Sequence, residues 1–268
     1  MWLIGVCGRK GSGKDAVGTI LTREYGFVRI ALADPIKQLA HLLFGFSLNT
    51  LFGPSAEREM PLGAAVTGAW WGTVYGQLAR GVVDAELVRL FGVAALPRAS
   101  AQLLYLCQVV FEPLGPDLNA RVVLQQMGTE YGRSLDPDVW VRAARKAASR
   151  LGPGTRYHPL YGVVSGQPRI GETGPRGVVV TDVRYENEVQ CIRAHEGPWG
   201  VWTINAQERL PPPPAQEHTS EPPYGLQASW ATRILPNNGT LEALTLHVHA
   251  YATELGIQKV AQLDEQGA

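Results

Sequence analysis

The sequence predicts an α/β protein in which a parallel sheet is covered by helices on both faces. An apolar, partly β-branched stretch at 2–7 has the pattern of a strand, and it runs into a glycine-rich turn. A helical pattern follows at about 14–25, and a second short strand is predicted at 27–31. Strands that alternate with helices in this order typically form parallel sheets.

The next helix begins at Asp34-Pro35, where we expect Asp34 to be the N-cap and Pro35 to occupy the first helical position. The other helices are predicted at about 75–92, 98–112, 119–132, 136–150, 184–195 and 240–255. The other strands are predicted at 177–181, 199–204 and 231–235.

We expect a single domain over residues 1–268, a length that is ample for one large hydrophobic core. A helical insertion that binds substrate is predicted at about 54–135. Residues at about 151–177 are rich in Gly, Pro and Arg without periodicity, and they predict a loop or small flap.

Composition excludes several classes of protein. The 24 Lys and Arg residues balance 24 Asp and Glu residues, so we expect no stable nucleic-acid binding. The sequence has no run of about 18 apolar residues and no basic leader before the first strand, so no membrane partner is expected. Cys7, Cys107 and Cys191 are far apart and outside any CxxC pattern, which favours a reducing, cytoplasmic location.

The turn after the first strand carries a phosphate-binding pattern. Gly8-Arg9-Lys10-Gly11-Ser12-Gly13-Lys14 matches the first seven positions of G-x-x-x-x-G-K-[ST]. Glycines let backbone N–H groups turn towards a phosphate, the following helix adds the positive end of its dipole, and a lysine reaches the β- and γ-phosphates. The predicted ATP-binding residues are Gly8, Lys10, Gly11, Ser12, Gly13, Lys14 and Asp15. The alternatives are a glycine-rich turn without a ligand and, for Lys10, a solvated charge.

Asp15 occupies the eighth position of the pattern, where Ser or Thr normally offers a hydroxyl to Mg²⁺, and Ala16 offers none either. Three roles stay open for Asp15: it binds the metal directly, binds it through a water, or faces the acceptor. Asp15 and Asp182 are the predicted Mg²⁺ ligands.

Asp182 directly follows the strand predicted at 177–181, and open α/β sheets carry their functional groups at the carboxyl ends of parallel strands. A carboxylate there can orient Mg²⁺ in phosphoryl transfer. Arg184 and Glu188 follow at i, i+4 spacing on one helix face. The alternative is an N-cap aspartate beside a surface ion pair.

A second candidate site lies on the helix predicted at 119–132. Arg121, Gln125 and Gly128 share one face of that helix, and they offer a guanidinium for a phosphate, an amide for a base edge and room for close approach. Thr129 adds a hydroxyl. The alternative is a solvated polar stripe. Trp140 either stacks on a base or fills the core.

Several segments together resemble the deoxynucleoside monophosphate kinases of tailed bacteriophages. These are Gly13-Lys14-Asp15, Ala33-Asp34-Pro35-Ile36-Lys37, Leu124-Gln125-Gln126-Met127-Gly128-Thr129-Glu130-Tyr131-Gly132-Arg133, Asp138-Val139-Trp140-Val141, Val180-Thr181-Asp182-Val183-Arg184-Tyr185-Glu186-Asn187-Glu188, His218-Thr219-Ser220-Glu221 and Asn237-Asn238-Gly239-Thr240-Leu241. These segments are spread over nearly the whole chain, except for about 54–118 and 151–177.

The resemblance implies a P-loop kinase that moves the γ-phosphoryl group of ATP onto a deoxynucleoside 5′-monophosphate with Mg²⁺, in the service of phage DNA precursor synthesis in the host cytoplasm. It implies catalytic roles for Lys14, Asp15, Arg121, Asp182 and Arg184. It implies acceptor-binding roles for Lys37, Arg121, Gln125, Gly128, Thr129, Arg133, Trp140, Asp182, Arg184 and Glu188. Members of this family are often dimeric.

Two other functions stay open from the residues. One keeps the kinase fold but changes the acceptor to a base in DNA or a metabolite such as dephospho-coenzyme A. The other is a nucleotide-binding module without catalysis, which would retain the glycine-rich loop but would not need Arg121 or Asp182.

Overall fold

The computed structural model describes residues 1–91, 99–166, 174–206, 208, 210 and 230–260. The chain divides into two compact units. The sheet unit comprises Met1–Ala31, Ala147–His158 and Gly162–Ala268, as far as these are described, and the helical unit comprises Leu32–Lys146 and Pro159–Tyr161. The helical unit therefore begins earlier and ends later than the insertion expected at 54–135. The segment at 218–221 lies outside the described residues.

The strands are β1 Trp2–Cys7, β2 Phe27–Ile30, β3 Thr155–His158, β4 Gly162–Ser165, β5 Gly177–Val183, β6 Trp199–Asn205 and β7 Arg233–Pro236. Five of them form a sheet in the order β2-β5-β1-β6-β7, and all the neighbouring pairs are parallel. β3 and β4 form a separate antiparallel hairpin, so part of the segment predicted as a loop at 151–177 is regular.

The α-helices are α1 Lys14–Tyr25, α2 Asp34–Phe44, α3 Leu48–Phe52, α4 Ser55–Glu59, α5 Gly68–Ala79, α6 Val82–Phe91, α7 Ala99–Leu106, α8 Ala120–Gln126, α9 Arg133–Leu135, α10 Val139–Ser149, α11 Glu186–Arg193 and α12 Leu241–Glu254. Two π-helical turns follow α7 and α8, at Cys107–Phe111 and Met127–Gly132. Short 3₁₀ segments occupy Gly63–Ala65 and Glu112–Asp117. No helix in the described part of the chain is long and apolar enough to cross a membrane.

Helices cover both faces of the sheet, as predicted. On one face, Ile4 and Val6 of β1 belong to a core cluster that includes Leu21 of α1 and Val248 of α12. Alternate residues of a strand point to opposite faces, so Gly5 faces the other layer, where the Ile192 side chain of α11 lies against it. Each buried aliphatic side chain of this kind contributes about 1.5–3 kcal/mol.

Two examples show how the helix boundaries differ from the prediction. The helix expected at 75–92 is two helices, because Gly81 adopts φ 71° after α5 and ends it. α2 begins at Asp34, and its N-cap is Ala33, so the prediction of Asp34 as the N-cap is wrong by one residue. The Asp34 side chain is buried and lies 4.0 Å from the Lys37 ammonium in the next turn.

Gly132 allows a close helix contact in the helical unit, and its replacement by Ala should destabilise the protein. A Cβ at Gly132 would overlap the indole ring of Trp140, which is 4 % exposed. Overpacking of this kind costs about 1–3 kcal/mol, which should appear as a lower urea midpoint.

Gly72 provides the matched control, because it lies inside α5 and a Cβ there meets nothing within 4 Å. G72A should raise stability by about 0.5–1 kcal/mol, since Ala favours the helix over Gly. Equal effects of the two substitutions on the urea midpoint would contradict the packing role of Gly132.

Candidate functional site

The glycine-rich loop (residues 8–13) lies at the carboxyl end of β1, the central strand of the sheet. The connection after β1 leads to β2 on one side, whereas the connection after the neighbouring strand β6 leads to β7 on the other side. Such a switch point opens a crevice outside the carboxyl ends of parallel strands, where ligands bind in open α/β sheets. The loop and the start of α1 therefore occupy the position that this topology provides for a ligand.

Glycines give the loop a tight, left-handed course. Gly11 and Gly13 have φ values of 78° and 104°, and Gly13 is the N-cap of α1. The Ser12 N–H donates to the Arg9 carbonyl at 3.1 Å, which closes a turn. The N–H groups of the first turn of a helix have no intrahelical partner, and they carry the positive end of the helix dipole. Together, these are features that anion-binding loops share.

Lys14 and Ser12 are two polar side chains at this loop. The Lys14 ammonium donates to the carbonyl oxygens of Gly8 and Arg9 at 2.6 and 2.7 Å, so it is held at the loop. The Ser12 hydroxyl is buried and has no hydrogen-bond partner among the described residues. Lys10, by contrast, is exposed.

Asp182 lies at the same edge of the sheet, on the strand adjacent to β1. The β1–β5 register pairs Gly5 with Val180 but Cys7 with Val183, so two residues of β5 lie opposite the single residue Val6. This bulge places Asp182, which is half-buried, one residue before the end of β5. Bulges of this kind re-aim side chains and are common next to functional sites.

Glu188 stabilises the start of α11. It is 4 % exposed, and its carboxylate accepts hydrogen bonds from the N–H groups of Arg184 and Tyr185 at 2.6 and 3.0 Å. Burial, and then the negative charge of Glu188, raise the pKa of the Cys7 thiol well above its usual range. Cys7 therefore stays protonated near neutral pH.

Arg184 lies at the loop between β5 and α11, at the same edge of the sheet as Asp182.

Asp15 pairs with a residue that the sequence analysis did not single out. Its side chain is 82 % exposed, and its carboxylate lies 3.2 Å from the Arg29 guanidinium of β2. An exposed pair of this kind contributes at most about 1 kcal/mol, so the carboxylate stays available to other partners. The only sequence signal for Arg29 is a charged residue within an apolar strand.

In the helical unit, Arg121 and Lys37 already have partners. The Arg121 Nε atom lies 2.9 Å from the Glu59 carboxylate, and the guanidinium donates to the Ser55 hydroxyl at 2.6 Å. The Lys37 ammonium lies 4.3 Å from the centroid of the Phe52 ring. A quarter of the Arg121 side chain stays exposed.

The helix that carries Arg121 is not continuous. It leaves the α-helical course after Gln126 and makes a π-helical turn, so the helix predicted at 119–132 is α-helical only as far as Gln126. A Cβ at Gly128 would lie 2.9 Å from Ile36, so this glycine allows α2 to approach. Gln125, Thr129 and Arg133 are half-buried.

Trp140 packs the core of the helical unit. Its indole N–H donates to the Gly128 carbonyl at 2.8 Å, and it is 4 % exposed. Of the two roles that the sequence left open, this position corresponds to core packing, because an indole enclosed in this way offers no free face to a base.

The predicted residues thus fall into two groups. In the sheet unit, the loop, Lys14, Asp182 and Arg184 lie at one edge of the sheet, and Glu188 is bonded to the backbone of Arg184. In the helical unit lie the other predicted acceptor-binding residues: Lys37, Arg121, Gln125, Gly128, Thr129, Arg133 and Trp140.

Comparison with known proteins gives a partial match. No family model matches the chain. A 61-residue segment is 38% identical to a protein of Acanthamoeba polyphaga mimivirus that bears the name "Putative deoxynucleotide monophosphate kinase". The match covers 23% of this chain and 32% of the mimivirus protein, so the chain spans about a third of the length of the relative that it matches. That name describes the mimivirus protein, and the match gives no support to the bacteriophage assignment expected from the sequence.

Proposed function

We propose that the protein is a P-loop kinase that transfers the γ-phosphoryl group of ATP to a deoxynucleoside 5′-monophosphate. The observation that carries the proposal is the glycine-rich loop at the switch point of a parallel sheet, with Asp182 at the end of the adjacent strand. The partial similarity to the mimivirus protein supports the same class of reaction.

The sheet unit would hold the donor. The N–H groups at the start of α1 would bind the phosphates of ATP, and the Lys14 ammonium would exchange its two loop carbonyls for phosphate oxygens. The transition state spreads negative charge over three equatorial oxygens, so positioning and cations supply most of the catalysis. Arg184 would add a guanidinium at the same edge.

The residues at this edge also fit Mg²⁺. The ion prefers oxygen ligands and is usually held by one or two carboxylates together with substrate phosphates. Asp182 provides a half-buried carboxylate beside the loop, and Asp15 provides an exposed one. When bound, Mg²⁺ would neutralise charge on the β- and γ-phosphates.

The helical unit would hold the acceptor. Arg121, with Lys37 and Arg133, offers cations for a monophosphate, and Gln125 and Thr129 offer hydrogen-bonding groups for the nucleoside. The attacking oxygen belongs to a phosphate that is already anionic, so the reaction needs no general base.

The test is to mix the purified protein with ATP, Mg²⁺ and each common deoxynucleoside monophosphate in turn, and to measure ADP. ADP formation that depends on one of the monophosphates supports the proposal. ATP binding without turnover would indicate a nucleotide-binding module. ADP formation that requires a different acceptor, such as dephospho-coenzyme A or DNA, would support a kinase but contradict a deoxynucleoside monophosphate as its acceptor.

Replacement of Arg121 by Ala should raise the KM for the monophosphate about tenfold to a hundredfold, because a hydrogen bond to a charged group contributes about 1.5–3 kcal/mol. The KM for ATP should change little. Steady-state kinetics with each substrate varied in turn measure both constants.

E59Q is the matched control for this variant, because it removes the ion pair with Arg121 and leaves the guanidinium in place. If E59Q raises the KM for the monophosphate as much as R121A does, then the ion pair is structural and Arg121 does not bind the acceptor.

A further inference from the structure

Asn237 links the end of β7 to the glycine-rich loop. It directly follows β7, and its backbone N–H donates to the Asn205 carbonyl at the end of β6 at 2.6 Å. Its side-chain amide donates to the Ser12 carbonyl at 2.7 Å. The residue is 8 % exposed, so both contacts are shielded from water. One buried residue thus connects the loop to the strand beyond β6.

Gly13 is shaped to receive this amide. A Cβ at Gly13 would lie 2.5 Å from the Asn237 nitrogen, closer than real Cβ contacts allow. Because Ser12 presents a carbonyl oxygen, only the NH₂ end of the Asn237 side chain can make this bond. The contact therefore fixes both the loop and the orientation of the amide.

The hydrogen bond fixes the direction of one peptide unit of the loop. The Ser12–Gly13 peptide is trans, so its N–H points away from its carbonyl. With the carbonyl turned to Asn237, the Gly13 N–H is turned the opposite way. The neighbouring glycines, Gly11 and Gly13, leave the backbone free to rotate, so this peptide could otherwise flip and present an oxygen to an anion.

We propose that Asn237 is a positioning residue for the phosphates of ATP. It holds the Ser12 carbonyl away from the phosphate site and so keeps the Gly13 N–H available as a donor. The inference rests on the proposed use of the loop as a phosphate site. It assigns Asn237 no contact with the nucleotide itself.

The test measures the binding of ATP and of inorganic tripolyphosphate to N237L by calorimetry. Leu retains much of the side-chain volume and removes the donor, so both affinities should fall by the same factor, about tenfold to a hundredfold. The KM for the acceptor should be unchanged. Asn238, its exposed neighbour, supplies the matched control, and N238L should bind both probes as the wild type does.

Wild-type affinity of N237L for tripolyphosphate would overturn the inference, and so would a loss confined to ATP, since that would indicate a contact with the nucleoside. If N237L does not fold, the same binding measurements are made with N237D. Asp has the shape of Asn, but its carboxylate donates no hydrogen bond. N238D corrects for the added charge.

Failure of the proposed function is distinguishable from failure of this inference. If the wild-type protein binds tripolyphosphate but forms no ADP with any monophosphate, the proposed kinase activity is contradicted. The affinities of N237L and N238L for tripolyphosphate then still test the role of Asn237. A wild-type protein that binds neither ATP nor tripolyphosphate contradicts both.

Discussion

Replacement of Lys14 by Ala should lower turnover about 10²–10³-fold, the size of effect seen when one charge-stabilising donor is removed from an active site. The Lys14 ammonium is held directly at the glycine-rich loop by the carbonyls of Gly8 and Arg9. Its loss removes a charge that the proposed transition state needs. Initial rates of ADP formation at saturating substrate measure the effect.

K259A is the control for Lys14, because Lys259 is an exposed lysine of the same unit and pairs with Glu24 on the surface. Its activity should equal that of the wild type. Circular dichroism should show that K14A retains its helices. Near-normal turnover of a folded K14A protein would contradict the phosphate-binding role of the loop.

Replacement of Asp182 by Asn should raise the Mg²⁺ concentration needed for half-maximal activity and lower kcat by about two orders of magnitude, because charge stabilisation through a bound metal contributes several kcal/mol. The side chain keeps its volume and loses its charge, so the bulge in β5 should persist. Magnesium titrations of the initial rate at fixed ATP measure both quantities.

D117N serves as the control for Asp182, because Asp117 is an exposed aspartate in a 3₁₀ segment of the helical unit. Its titration should match that of the wild type. If D182N and the wild type have the same Mg²⁺ dependence, then Asp182 is structural and the metal is held elsewhere.

Several features of the site could be predicted from the sequence because they are local. A strand, a glycine-rich turn and a helix follow one another within 25 residues, and turn geometry and hydrophobic period report them directly. The same local rules place α12 and the strand that ends near Asp182. They are less reliable at element ends, as the N-cap of α2 and the break at Gly81 show.

Local sequence patterns could not decide the roles of Trp140 and Gly128. A tryptophan and a glycine on helices are compatible with a binding surface or with a packed interface, and only the neighbours distinguish the two. The Trp140–Gly128 hydrogen bond and the approach of Ile36 to Gly128 join residues from α10, the π-helical turn and α2. Burial then favours packing for Trp140, and the close approach of Ile36 favours packing at the half-buried Gly128.

The sequence by itself determined the parallel α/β class, the position of the glycine-rich loop and the lysine that follows it, since each depends on residues that are near neighbours in the chain. Only the tertiary structure decided which distant residues join that loop. The pairing of β5 with β1 brings Asp182 to its edge, and the pairing of β7 with β6 brings Asn237 to Ser12. Strand order and bulges arise from the packing of the whole sheet, and no local pattern of residues encodes them.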